Sequence, residues 1–137
     1  MALSPELERA VLEKIHAIPI TATINMKIIT LSEGHAEVSA PRIKSYDGVA
    51  ESFHGGLLMT LADSTACYAI FTKTGPKANL TTTDMNIRFL APCLTGATAK
   101  ATIIKFGRTL VPVAVDLFDD TGVRVAVAQV TYFVLNS

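Results

Sequence analysis

The feature that most constrains this chain is the run from His54 to about Thr72. Its apolar residues are Leu57, Leu58, Met59, Leu61, Ala62, Ala66, Tyr68, Ala69, Ile70 and Phe71. At helical spacing they cover nearly the whole circumference, so the helix they form has to be enclosed by other elements rather than laid on a surface. A lone helix of this kind needs a sheet around it. After the breaker Thr74-Gly75-Pro76, four strand-like segments occupy roughly residues 79–90, 95–105, 109–119 and 123–135, separated by Pro92, Gly107 and Asp119-Asp120-Thr121-Gly122. They read as a β-meander. Residues 21–40 read as a hairpin around Ser32-Glu33-Gly34, and residues 41–53, with Pro41, Tyr46, Asp47 and Gly48, as a loop long enough to carry function. Ser4-Pro5 with Glu6 and Glu8 starts a short helix that runs to about Ala17, where Pro19 stops it. The order α-β-β-α-β-β-β-β predicts one α+β domain over residues 1–137: a six-stranded antiparallel sheet curled around the helix at 54–72, with an N-terminal helix within 1–19.

Only 18% of the residues are charged while 50% are hydrophobic, which places apolar surface between subunits and predicts a homo-oligomer. Twelve basic residues balance twelve acidic ones and form no run, so no nucleic-acid or membrane-surface partner is expected. Cys67 and Cys93 are isolated and lack metal-site spacing, which fits a reducing cytoplasm and predicts neither disulfide nor metal. No signal segment or membrane span is read, and no cofactor is implied.

Two features of the enclosed helix bear on chemistry. His54-Gly55-Gly56 puts poor helix formers at its start, either to bare backbone N–H groups toward a ligand oxygen or to let the helix pack close to the sheet. Asp63 sits mid-helix among apolar residues, where an unpaired carboxylate is costly; it is a working acid, or a structural link to Ser64, Thr65 or a strand threonine.

The segment His54-Gly55-Gly56-Leu57-Leu58-Met59-Thr60-Leu61-Ala62-Asp63, with Thr82-Thr83-Asp84-Met85-Asn86-Ile87-Arg88-Phe89-Leu90-Ala91-Pro92, resembles the phenylacetate-degradation (PaaI-like) branch of hotdog-fold acyl-CoA thioesterases. The resemblance covers the chain from Thr21 onward. It implies hydrolysis of an acyl- or aryl-CoA thioester to free acid and CoA by a dimer of dimers. Gly55 would supply the oxyanion N–H, Asp63 the general base or nucleophile, and Thr82 would help to place the water. His54 would shape the turn, with Gly56 beside it. Many members carry Asn or Gln six positions before the histidine, and here that position is Gly48 with Asp47 beside it. Asp47, Gly56 and Phe89 are the candidate substrate contacts.

Gly55 and Asp63 are eight positions apart, about 12 Å along one helix, so no single carbonyl can touch both. If both act on one thioester, they come from different chains across a two-fold interface. Lys105-Phe106-Gly107-Arg108 groups two cations at a tight connection, so Lys105, Gly107 and Arg108 are the candidates for the CoA phosphates, ahead of Arg88 and Lys73. Two rival functions are a hydratase or dehydratase on the same fold, which would need a histidine base, and a non-catalytic acyl-CoA-binding module, which would not keep Asp63. The Gly-x-Ser-x-Gly elbow and the phosphate-binding Gly-x-x-x-x-Gly-Lys loop are both lacking.

Overall fold

The computed structural model describes residues 1–136. Helix α1 (Pro5–Ala17) starts where the sequence places it: the Ser4 hydroxyl accepts the Leu7 N–H at 3.2 Å, and Val11 and Ile15 form its buried stripe. The chain then departs from expectation. Pro19 does end α1, but it also opens a second helix, α2 (Pro19–Thr23), since a proline's fixed φ and missing N–H suit the first helical position. The Thr21 hydroxyl donates to the Ile15 carbonyl at 2.8 Å and lies 2.9 Å from the Tyr68 hydroxyl, tying this turn to the core. The first strand therefore begins at Lys27 rather than Thr21, after Asn25 turns the chain at a φ of 55°.

Strands β1 (Lys27–Ser32) and β2 (His35–Ala40) form the expected hairpin. The loop that follows contains one 3-10 turn, Lys44–Tyr46. Helix α3 (Gly55–Thr74) ends at Gly75, whose φ of 83° suits a residue without a side chain. Strands β3 (Asn79–Phe89), β4 (Ala97–Ile103), β5 (Leu110–Asp119) and β6 (Arg124–Asn136) complete one antiparallel sheet in the order β1-β2-β4-β5-β6-β3. The four-strand meander is thus corrected: only β4, β5 and β6 run in succession, and β3 lies at the far edge beside β6. Its eleven residues match the thirteen of β6 far better than the seven of β4.

The sheet wraps α3 in the hotdog arrangement. Ala36, Ala40, Ala97, Ala99 and Ala101 face inward and are at most 2% exposed, so α3 sits close to β2 and β4. From β5, Val111, Val113, Val115 and Leu117 close the core, each side chain of this size contributing about 1.5–3 kcal/mol by leaving water. The helix is not enclosed all round, however. Met59, Thr60, Asp63, Ser64 and Cys67 form a half-exposed stripe that continues from the exposed Gly56. No helix of the described residues is long and apolar enough to cross a membrane.

Candidate active site

Helix α3 presents two chemically distinct places. At its N-terminus His54 is the capping residue, and its Nδ1 accepts the Gly56 N–H at 2.9 Å. That nitrogen must therefore be unprotonated, and the ring serves as a cap. The next N–H groups of the turn, from Leu57 and Leu58, both reach the His54 carbonyl at 3.0 Å. Among the described residues nothing accepts the Gly55 N–H. It is the free donor of this turn, at the positive end of a twenty-residue helix.

Two clefts flank the turn. One, of about 430 Å³, is lined by Ser52, Phe53, Gly55, Leu58, Phe89 and Leu90 among others. The other, of about 380 Å³, is lined by Tyr46, Asp47, His54, Gly56 and Leu57. The loop before α3 builds the walls of both, and Arg42 braces it. The Arg42 guanidinium donates to both carboxylate oxygens of Asp47, at 2.9 and 2.6 Å, and to the carbonyls of Leu94 and Glu51, at 2.8 and 2.9 Å. These hydrogen bonds hold the Asp47 carboxyl below the usual carboxylate range. Both Asp47 oxygens are thus engaged where the side chain meets the cleft.

Two turns further along, Asp63 is half-buried on the open stripe of α3. The link to a strand threonine is present: Thr82 donates to Asp63 Oδ1 at 2.7 Å. A second donor, not anticipated from sequence, is Tyr132 of β6, whose hydroxyl lies 2.8 Å from the same oxygen and 3.0 Å from the Asp63 carbonyl. Oδ2 accepts from none of the described residues. Burial, and after it the Asp63 charge, pushes the Cys67 thiol up to about 12, so this neighbour one turn on stays protonated as a filler. Burial likewise raises the Tyr132 hydroxyl, which keeps it a donor.

Sequence reasoning had no means of finding Tyr132, since an aromatic residue in a strand reads as core. The register supplies the signal: Tyr132 stands directly opposite Thr82, so both side chains project from the same face of the sheet toward α3. The ladder then slips by one residue between Thr82 and Asp84, the kind of irregularity that re-aims a side chain.

Other candidates lie apart. Tyr68 is 1% exposed in the core, its hydroxyl 2.9 Å from that of Thr21. Lys105 and Arg108 are exposed at the β4–β5 connection and form no ion pair among the described residues. Between them, Phe106 packs under the Lys73 ammonium at 5.5 Å, at the C-terminal end of α3. Lys73 is eighteen positions from Gly55, about 27 Å along the helix, so one protomer holds its free N–H and its clustered cations at opposite ends. Gly107 is required by the connection itself, as a Cβ there would come 2.3 Å from the Leu110 carbonyl oxygen.

A sheet-wrapped helix that carries a hydroxyl-bonded acid on its open stripe defines a hotdog-fold protein with an acid-bearing central helix. The chain belongs to the thioesterase superfamily, whose family profile matches residues 51–126, more than half of it. A thioesterase family protein from Silicibacter pomeroyi is 25% identical, with a TM-score of 0.87 over 96% of this chain and 99% of that one. The Escherichia coli PaaI protein of the phenylacetic acid degradation operon shares the fold at a TM-score of 0.89, with 20% identity over 99% of this chain and 98% of PaaI. A hypothetical thioesterase from Streptococcus pneumoniae, solved with coenzyme A, is 25% identical with a TM-score of 0.80, over 92% of this chain and 98% of that one.

Proposed function

We propose that this protein hydrolyses an acyl- or aryl-CoA thioester to free acid and CoA, with Asp63 as the general base or nucleophile and the Gly55 N–H as the oxyanion donor. The observation that carries this reading is a half-buried carboxylate anchored through Oδ1 while Oδ2 accepts from none of the described residues. In the general-base route, water attacks the carbonyl carbon and gives its proton to Asp63. The C–S bond then breaks, and the departing thiolate takes the proton back. In the nucleophilic route, an Asp63 oxygen expels the CoA thiolate and water cleaves the resulting anhydride. A thioester is a reactive acyl donor, so one base and one oxyanion donor make a sufficient set.

The separation of Gly55 and Asp63 along α3 requires that the donor come from a second protomer, so the working unit is a dimer, and by family likeness a dimer of dimers. Lys105 and Arg108, with Gly107 shaping the turn, would hold the CoA phosphates. The coenzyme A bound in the Streptococcus pneumoniae relative supports this substrate class. A hydratase needs a histidine base, and the three histidines are engaged in other contacts: His54 caps α3, His16 lies 2.8 Å from the Leu12 carbonyl and His35 lies 3.1 Å from the Thr102 hydroxyl.

The test is a panel of short, medium, long and aryl acyl-CoAs followed by thiol release, run on the wild type and on Asp63→Asn. The variant keeps size and loses the base, so kcat should fall by roughly 10²–10⁴-fold with little change in KM. A folded, oligomeric Asp63→Asn protein with wild-type turnover on the best substrate would end the proposal.

A further inference from the structure

Tyr132 is 6% exposed, and a phenylalanine would fill the same volume without a polar atom to desolvate. Its hydroxyl therefore needs a reason. Its one proton lies between two acceptors of the same residue, the Asp63 carboxylate Oδ1 at 2.8 Å and the Asp63 carbonyl oxygen at 3.0 Å. A hydroxyl tied to both the backbone carbonyl and the carboxylate of one residue restricts the side chain that lies between them. Thr82, directly opposite in the ladder, donates to that same Oδ1 at 2.7 Å. Bonds from hydroxyls to an ionised carboxylate are short and roughly twice as strong as neutral ones, so the pair holds the carboxylate plane firmly. Both donors arrive on one oxygen, and Oδ2 is left pointing away from them.

We infer that Tyr132 is a positioning residue for hydrolysis: together with Thr82 it occupies Oδ1 and aims Oδ2 of Asp63 as the oxygen that takes the proton of water or attacks the thioester. The inference rests on the acid role of Asp63 and adds which oxygen acts and what aims it. Tyr132 does not touch substrate in this account and works only through Asp63.

The test is Tyr132→Phe in the full-length oligomer, assayed on the acyl-CoA that the panel turns over fastest. The expected result is a kcat lower by roughly tenfold or more with KM within about twofold, since binding is left alone and only the aim of the acid is loosened. In an Asp63→Asn background the same substitution should change the residual rate by less than about twofold, because there is no acid left to aim. A smaller fall in the wild-type background, or an equal fall in both, overturns the inference, the second result marking a general structural effect. If Tyr132→Phe does not assemble, 4-aminophenylalanine at the same position keeps the ring and puts a weaker donor in place of the hydroxyl, and kcat should fall with KM held. An unchanged kcat then overturns the inference as well. The two levels separate cleanly: Asp63→Asn with wild-type turnover removes the acid role altogether, whereas an inactive Asp63→Asn with a fully active Tyr132→Phe removes only the positioning role.

Discussion

The ring of Phe89 stands against Gly55 so closely that a methyl group on Gly55 would approach its Cζ to 3.2 Å. Phe89 is 51% exposed at the sheet edge and can give way. Gly55 is therefore open to substitution, and its N–H can be tested apart from its shape. Proline is accepted at a first helical position, and the extended backbone of His54, φ −58° and ψ 129°, suits a residue preceding proline. Gly55→Pro deletes the N–H and should lower kcat by about 10²–10³-fold, the usual loss for one oxyanion donor. Gly55→Ala crowds Phe89 in the same way but keeps the N–H, and should stay within about tenfold of wild type. Equal losses in the two variants, with circular dichroism unchanged, would remove the donor role.

Mixing tests whether the site is shared between chains. A protomer with Gly55→Pro and one with Asp63→Asn each spoil every site of their own homodimer. A mixed dimer keeps one intact site, built from the Gly55 of one chain and the Asp63 of the other. Unfolding and refolding an equal mixture should restore about a quarter of wild-type activity if chains pair at random. No recovery, despite mixed dimers seen by native mass spectrometry, would mean that both groups act within one chain.

The exposed cations at the β4–β5 connection give a prediction about binding. Arg108→Ala should raise KM for a CoA thioester by about tenfold while kcat changes little, because phosphate contacts are the same in ground and transition states. The matching acyl-pantetheine, which lacks the nucleotide, should be hydrolysed equally well by variant and wild type. An unchanged KM on the CoA thioester would place the phosphates elsewhere.

The brace between Arg42 and Asp47 predicts a pH dependence of stability. The hydrogen bonds from Arg42, ahead of its charge and against the opposing effect of burial, lower the folded-state value of Asp47. A carboxyl lowered on folding contributes stability that is complete above its unfolded value, about 4, and is lost as pH falls through the folded value. Asp47→Asn should therefore melt below wild type at pH 7, and the gap should close as the pH drops from about 5 toward about 2. A gap that persists at acid pH would show that packing, and not the ion pair, orders this loop.

Much of the candidate site was legible because its main residues break local rules. Asp63 in an apolar helix and two glycines at a helix start are conspicuous without any structure. Thr82 came through family likeness, and the register explains it. The residues that escaped notice obey local rules and differ only in context. Thr21 and Thr23 suit a strand by composition, yet α2 forms there because Thr21 bonds Ile15 and meets Tyr68. Tyr132 looks like an ordinary strand aromatic until β3 is seen to pair with β6. Periodicity identifies strands but not their neighbours, so neither the far-edge position of β3 nor the meeting of Thr82 with Tyr132 could be read in advance.

That far-edge position sets an order of events during folding. β3 has one neighbour in the sheet, and that neighbour is the last strand of the chain. Thr82 and Tyr132, fifty positions apart, meet only after a long loop has closed, which is slow and entropically costly compared with hairpin formation in β4, β5 and β6. Helix α3 and its Asp63 can be in place while β3 still waits for its partner. A chain emerging from the ribosome thus carries its acid well before either hydroxyl can reach it, and the site is among the last parts of the molecule to be completed.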